Sequence, residues 1–125
     1  MKSDLTITSE HIQREDKDPV LIIHLHGWLD AQNEGRFRNE IQEAHSAGAH
    51  FLVIDLTEIN MLTSAGIRAI MKAHNLFKPA EADQPSQMRL CNAPQQVYNA
   101  LSITGFLQSI PIYENLQAAL QSFEG

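Results

Sequence analysis

An α/β domain with a mixed sheet and helices packed on it is the fold class this sequence predicts. Two hydrophobic periods alternate along the chain, one of two residues in short branched runs and one near 3.6 residues in the stretches between them. The first two runs are separated only by a short polar turn and so form a hairpin; each later run follows a helix-length segment. One run, Phe51-Leu52-Val53-Ile54-Asp55-Leu56, is apolar until near its end, the pattern of a strand covered on both faces in the middle of a partly parallel sheet.

In residues 5–12, Leu5 and Ile7 face one way and Thr6 and Thr8 the other, giving a strand with one wet side. Arg14-Glu15-Asp16-Lys17-Asp18-Pro19 is a charged turn, and Val20 to His26 a second strand rich in branched residues. After Gly27 the period lengthens: Phe37, Ile41, Ala44 and Gly48 form one helix stripe, and Arg36, Arg38, Glu40 and Glu43 the other. Asn33 is a suitable N-cap for that helix and Gly48 a suitable terminator. Residues 51–56 follow as the third strand. A second helix after Ser64 has Ile67, Ile70, Met71, His74 and Phe77 inside and Arg68, Lys72 and Asn75 outside, and Pro79 ends it. Ala80 to Gln87 reads as a polar link and Met88 to Cys91 as a short strand. Pro94 opens a third helix carrying Val97, Tyr98 and Leu101, which Thr104-Gly105 closes. Ile110 to Tyr113 is a proline-limited edge strand. Leu116, Ala119, Leu120 and Phe123 stripe a final helix. The predicted order is ββαβαβαβα in one domain, residues 1–125, with no repeat.

The 125 residues are 43% apolar and 19% charged, as in an ordinary globular chain. No apolar stretch approaches the roughly 20 residues that cross a bilayer, and no signal-peptide pattern opens the chain, so a cytoplasmic location is expected. A formal charge of −6 and no basic run argue against nucleic acid or anionic membrane as the principal partner. Cys91, the only cysteine, excludes an internal disulfide and reads as a small buried hydrophobe near a strand end.

Little in the sequence points to catalysis. His24 and His26 share a strand face, but no third ligand at a fixed distance accompanies them. His74 lies on its helix's inner stripe and reads as a satisfied, half-buried histidine; His11, His45 and His50 fall near element ends. No glycine-rich phosphate cradle and no nucleophile elbow occur. Asp30, Asp55 and Glu58 sit at strand ends, where turn chemistry and solvation explain them. The domain is therefore expected to be non-catalytic and to carry no cofactor or metal.

The segment from Asp55 to Ile67 supports a sharper expectation. Thr63 and Ser64 are both natural N-caps, and Ala65-Gly66 behind them suggests a helix start open to close approach by another protein. Gly66 costs that helix about 1 kcal/mol relative to alanine, which implies a need for small size. A phosphoryl group here would add about −1.5 to −2 charges beside free amides and the positive helix end. Asp55 and Glu58 would reinforce its repulsion of an acidic surface, and Trp28 and Leu62 are candidate exposed contacts.

These motifs resemble those of the STAS domain family, and specifically of bacterial anti-sigma factor antagonists. Gly27-Trp28-Leu29-Asp30 resembles the family's Gly-x-Leu-Asp turn, and Phe51 to Leu56 its central strand ending in Asp-Leu. Thr63-Ser64-Ala65-Gly66-Ile67 resembles its phosphorylation motif. Leu101-Ser102-Ile103-Thr104-Gly105-Phe106, with Ile112-Tyr113 and Ala118-Ala119-Leu120, resembles its C-terminal segment. The resemblance implies a four-to-five-stranded sheet with about four helices mainly on one side. It also implies a switch: an anti-sigma factor that is also a serine kinase binds the unmodified domain, phosphorylation of Ser64 ends the binding, and a phosphatase resets it. The implied partner surface comprises Asp30, Asp55, Glu58, Leu62, Thr63, Ser64, Ala65, Gly66 and Arg68. Where the family usually has Asp before the serine this chain has Thr63, a second potential acceptor. Other STAS proteins are unswitched subunits of a lipid-transport ABC complex or stressosome scaffold, the alternative role.

Overall fold

Leu5–Arg14 (β1) and Lys17–Leu29 (β2) pair antiparallel through a tight turn at Glu15-Asp16, with Asp16 at φ 60°. The computed structural model of the chain describes residues 4–79, 86–103, 105 and 110–123. The hairpin strands are longer than the sequence suggests, because Lys17, Asp18 and Pro19 already belong to β2. They are exposed there, so the ladder continues without any hydrophobic signal to announce it.

The remaining strands follow in parallel. Phe51–Leu62 (β3) pairs with β2, Met88–Cys91 (β4) with β3, and Ile112–Tyr113 (β5) with β4, giving the order β1-β2-β3-β4-β5. Between them run Glu34–Ser46 (α1), Ser64–Leu76 (α2) and Gln95–Ile103 (α3), and Leu116–Gln121 (α4) closes the order. Among the described residues the sheet is thus mixed and five-stranded with four helices, as expected.

Strand alternation divides the core in two. Leu21, Ile23, Leu25, Leu52, Ile54, Leu56 and Leu90 point to the face covered by α1, α2 and α3, where Phe37, Ile41, Ile70, Val97 and Leu101 meet them. Val20, Ile22, Val53 and Cys91 point the other way and are covered by α4 through Ala119, Leu116 and Leu120. Three helices lie on one face and one on the other.

Two positions depart from sequence expectation, the first for a physical reason. β3 runs on to Leu62 rather than ending at Leu56, because it keeps pairing with His26 to Leu29 through two register shifts. Each shift places an extra residue on β3, which breaks the period that would have marked it as strand. Met71, expected inside α2, is 37% exposed.

Gly27 lets the two strands approach closely at the open end of the hairpin, opposite Leu5. Its φ of +110° is in the region that favours glycine, and a Cβ there would collide with the Asp4 carbonyl oxygen. That same carbonyl accepts from Trp28 N at 2.8 Å.

His74 is buried, 5% exposed, yet its Nδ1 has no hydrogen-bond partner among the described residues, so it is not the satisfied histidine the sequence suggests. Burial lowers its pKa from 6.5, and the charges of Lys78 and Arg89 lower it further. The unfolded chain therefore binds this proton more readily than the native one. Stability tied to His74 is intact above 6.5 and is lost as pH falls toward the folded value. Thermal unfolding between about pH 5 and pH 7 should show Tm declining on acidification, with a smaller decline in His74→Leu. Thr104 of the expected helix end, Phe106 of the C-terminal motif and residues 80–85 of the polar link lie outside the described residues.

Candidate functional site

The carboxyl ends of β2 and β3 lead directly into α1 and α2, the edge of a parallel sheet where α/β domains commonly gather their functional groups. Asp30 organises the first junction. Its Oδ1 accepts from Gln32 N and Asn33 N at 3.0 and 3.2 Å, and its carbonyl accepts from Glu34 N at 2.9 Å. Asn33 does stand at the cap position, but its side chain turns back to donate to the Trp28 carbonyl instead of capping the helix.

The second junction carries the two hydroxyls. Thr63 is the N-cap of α2: its Oγ1 accepts from Gly66 N at 3.4 Å and donates to the Leu29 carbonyl at 3.5 Å. Its backbone N–H donates to that carbonyl as well, at 3.2 Å. Thr63 is thus half-buried and engaged on both sides. Ser64, the first helical residue, is exposed, and its hydroxyl has no hydrogen-bond partner among the described residues. Arg68, one turn further along the same helix face, is exposed and forms no ion pair among the described residues.

Gly66 has a different reason for its size than the sequence suggests. It is buried, and a Cβ there would collide with the Leu29 carbonyl oxygen and stand 2.8 Å from Leu62 Cδ1. The small residue admits the domain's own β2 rather than a visiting protein. Leu62 is half-buried and packs against the main core; Trp28 and Ala65 are also half-buried.

Asp55 is not gathered to Ser64. It alternates with Ile54 and Leu56 and so points to the face opposite α2. There its Oδ2 lies 2.7 Å from His24 Nδ1, and its Oδ1 accepts from Thr57 N at 3.0 Å, from the Thr57 hydroxyl and from Asn92 Nδ2 at 3.2 Å. His24 Nε2 in turn lies 2.6 Å from Glu10 Oε2. Burial raises the Asp55 pKa, but the Thr57, His24 and Asn92 hydrogen bonds outweigh it and the net direction is down. Glu58 is exposed opposite His26. The sequence did hint at this cluster, since His24 and Asp55 each interrupt an apolar run; Glu10 becomes its third member only through the hairpin register.

Cys91 is fully buried, and burial followed by the Asp55 charge pushes its thiol up to about 12. Among the described residues no group of three or more His, Cys, Asp or Glu side chains is arranged to hold a metal. Nor is any described helix long and apolar enough to cross a membrane.

The sequence profile of the STAS domain matches residues 11–119. The chain belongs to the STAS domain family. An anti-sigma F factor antagonist from Paenibacillus polymyxa is 26% identical over 114 residues, 90% of this chain and 94% of that relative. Among solved structures, an anti-sigma factor antagonist from Mycobacterium paratuberculosis superposes with a TM-score of 0.75 at 21% identity, covering 96% of each chain. The anti-sigma factor antagonist SpoIIAA in its unphosphorylated form gives 0.75 at 17% identity, covering 96% of this chain and 97% of its own. SpoIIAA from Bacillus in its phosphorylated form gives 0.67 at 16% identity, with 94% and 99% covered. At these identities the structures establish the STAS fold, with its five-stranded mixed sheet and four helices.

Proposed function

We propose that this STAS domain is an anti-sigma factor antagonist that works by partner switching. With Ser64 unmodified, the start of α2 binds an anti-sigma factor that is also a serine kinase; phosphorylation of Ser64 ends the binding and a phosphatase restores it. The observation that carries this reading is the contrast between the two hydroxyls. Thr63 engages its oxygen with Gly66 N and the Leu29 carbonyl, whereas Ser64 stands exposed with its hydroxyl unengaged among the described residues.

The surroundings suit a phosphate added after binding. The Ser64 and Ala65 amides have no acceptor among the described residues, and the positive end of a 13-residue helix lies behind them. Arg68, one turn away, supplies a cation. Together these tolerate the new charge at little cost to the fold, the helix-end contribution being about 0.3–1 kcal/mol in favour. A partner fitted to a bare hydroxyl has no such compensation, so the charge is paid for in the complex and not in the domain. The kinase would bring its own nucleotide and magnesium, leaving this chain as a non-catalytic substrate and ligand. That relatives carry the name anti-sigma factor antagonist, and that SpoIIAA has a phosphorylated form of the same fold, supports the assignment.

Incubation with ATP and lysate of the source cell, followed by mass-spectrometric site mapping, tests the acceptor. Phosphate is expected on Ser64 and not on Thr63. Modification of Thr63 alone, or of neither, would count against the switch and favour an unswitched STAS subunit.

A further inference from the structure

The Glu10–His24–Asp55 cluster plays no part in the Ser64 site, and its geometry is unusual for a sheet surface. Three side chains from three adjacent strands line up across the face that α4 leaves open. His24 is 32% exposed, Asp55 15% and Glu10 52% by side chain. Each ring nitrogen of His24 faces a carboxylate oxygen, at 2.6 and 2.7 Å. An ionised carboxylate only accepts, so both contacts are hydrogen bonds only when both nitrogens carry protons. The arrangement also leaves no free ring nitrogen to serve as a general base, which separates it from a catalytic relay.

We propose that His24 is a proton-operated clamp: as imidazolium it ties edge strand β1 to β2 and β3, and on losing its proton it releases Glu10 while keeping Asp55.

The asymmetry follows from the two carboxylates. Asp55 is held from its other oxygen by the Thr57 amide and hydroxyl and by Asn92 Nδ2, so it cannot swing away without breaking three bonds. Glu10 is half exposed, makes no other side-chain hydrogen bond among the described residues, and rotates into water freely. When one proton leaves, Nε2 gives it up, its lone pair repels Glu10, and Nδ1–H remains on Asp55. The neutral ring is then the Nδ1–H tautomer. On the edge strand, β1 keeps its backbone ladder to β2 and the Arg14 contact with the Phe51 ring but loses the Glu10 link to His24.

Other groups around the ring do not supply the effect. On β2, His26 lies two residues further on the same face and is exposed; on β3, Glu58 stands opposite His26. On β4, the Cys91 thiol is held neutral by burial, and Asn92 is uncharged. The residues of α4, Leu116 to Gln121, include no charged side chain. Burial opposes the charge on His24, but the hydrogen bonds and charges of Glu10 and Asp55 together outweigh it and raise its pKa above 6.5. With the folded value above the unfolded one, the stabilisation is complete below 6.5 and is lost as pH rises through the folded value.

Nitrogen-15 and proton NMR of the full chain, titrated from about pH 5.5 to pH 9.5, tests the clamp. His24 should titrate above 6.5, end as the Nδ1–H tautomer, and show amide exchange along β1 accelerating with its deprotonation beyond the intrinsic pH dependence. Glu10→Gln should lower the His24 pKa and abolish that extra acceleration while leaving the tautomer Nδ1–H. A His24 pKa at or below 6.5, or a neutral Nε2–H tautomer, would overturn the proposal; so would equal extra β1 acceleration in wild type and Glu10→Gln.

Discussion

Gly66→Ala should destabilise the domain by about 2 kcal/mol, lowering Tm by about 6–10 °C, although helix propensity alone predicts a gain of about 1 kcal/mol. Two effects oppose each other at this residue. Alanine holds a helical backbone better than glycine because it has fewer unfolded conformations to lose. Its Cβ, however, would occupy the space of the Leu29 carbonyl oxygen and crowd Leu62 Cδ1. The carbonyl is backbone at the carboxyl end of β2 and already accepts from Thr63 N and Thr63 Oγ1, so it cannot yield as a flexible side chain would. Relief requires α2 to move off β2 at its first turn, which weakens the Thr63 cap at the same time. Packing should therefore win. Denaturant unfolding checks it: a stabilised or unchanged Gly66→Ala protein would mean that α2 does not sit against Leu29 as described. Ala65→Gly, one residue away and half-buried, should cost only about the 1 kcal/mol of helix propensity and serves as the control.

Gly66 also marks how far the sequence could be read. Its small size was legible, and so was its place at a helix start; the carbonyl that requires it was not, because contact between residues 29 and 66 depends on the pairing of β2 with β3. The element order and the two-faced core were readable for a related reason. Runs such as Val20–Leu25 and Phe51–Leu56 carry enough branched apolar residues to declare themselves without any partner. The end of β3 was hidden by its two bulges, and the start of β2 by three exposed residues, of which Lys17 pairs with Arg14 and Asp18 is held by the His50 and Arg14 side chains. At the candidate site, Ser64 and Thr63 could be named from capping chemistry, but not told apart. That distinction comes from the Leu29 carbonyl, which turns Thr63 inward and leaves Ser64 outside. Asp55 and Ser64 look like neighbours in a ten-residue stretch of sequence, yet strand alternation sends Asp55 to the opposite face, where Glu10 and His24 meet it.

Ser64→Asp should weaken partner binding by at least about tenfold, equivalent to ~1.4 kcal/mol, while Ser64→Ala binds as tightly as wild type. The serine hydroxyl makes no bond among the described residues, so its removal takes nothing from the fold or from the shape of the surface. An aspartate instead places a charge where the bound partner must exclude water, with only part of a phosphate's −1.5 to −2. Both variants should match wild type in Tm to within about 2 °C, so a binding difference could not be laid to misfolding. The decisive measurement is a titration of wild type, Ser64→Ala and Ser64→Asp against the kinase recovered from the source cell. Tight binding by the first two and loss in the third would establish Ser64 as the switch; equal affinity in all three would contradict it.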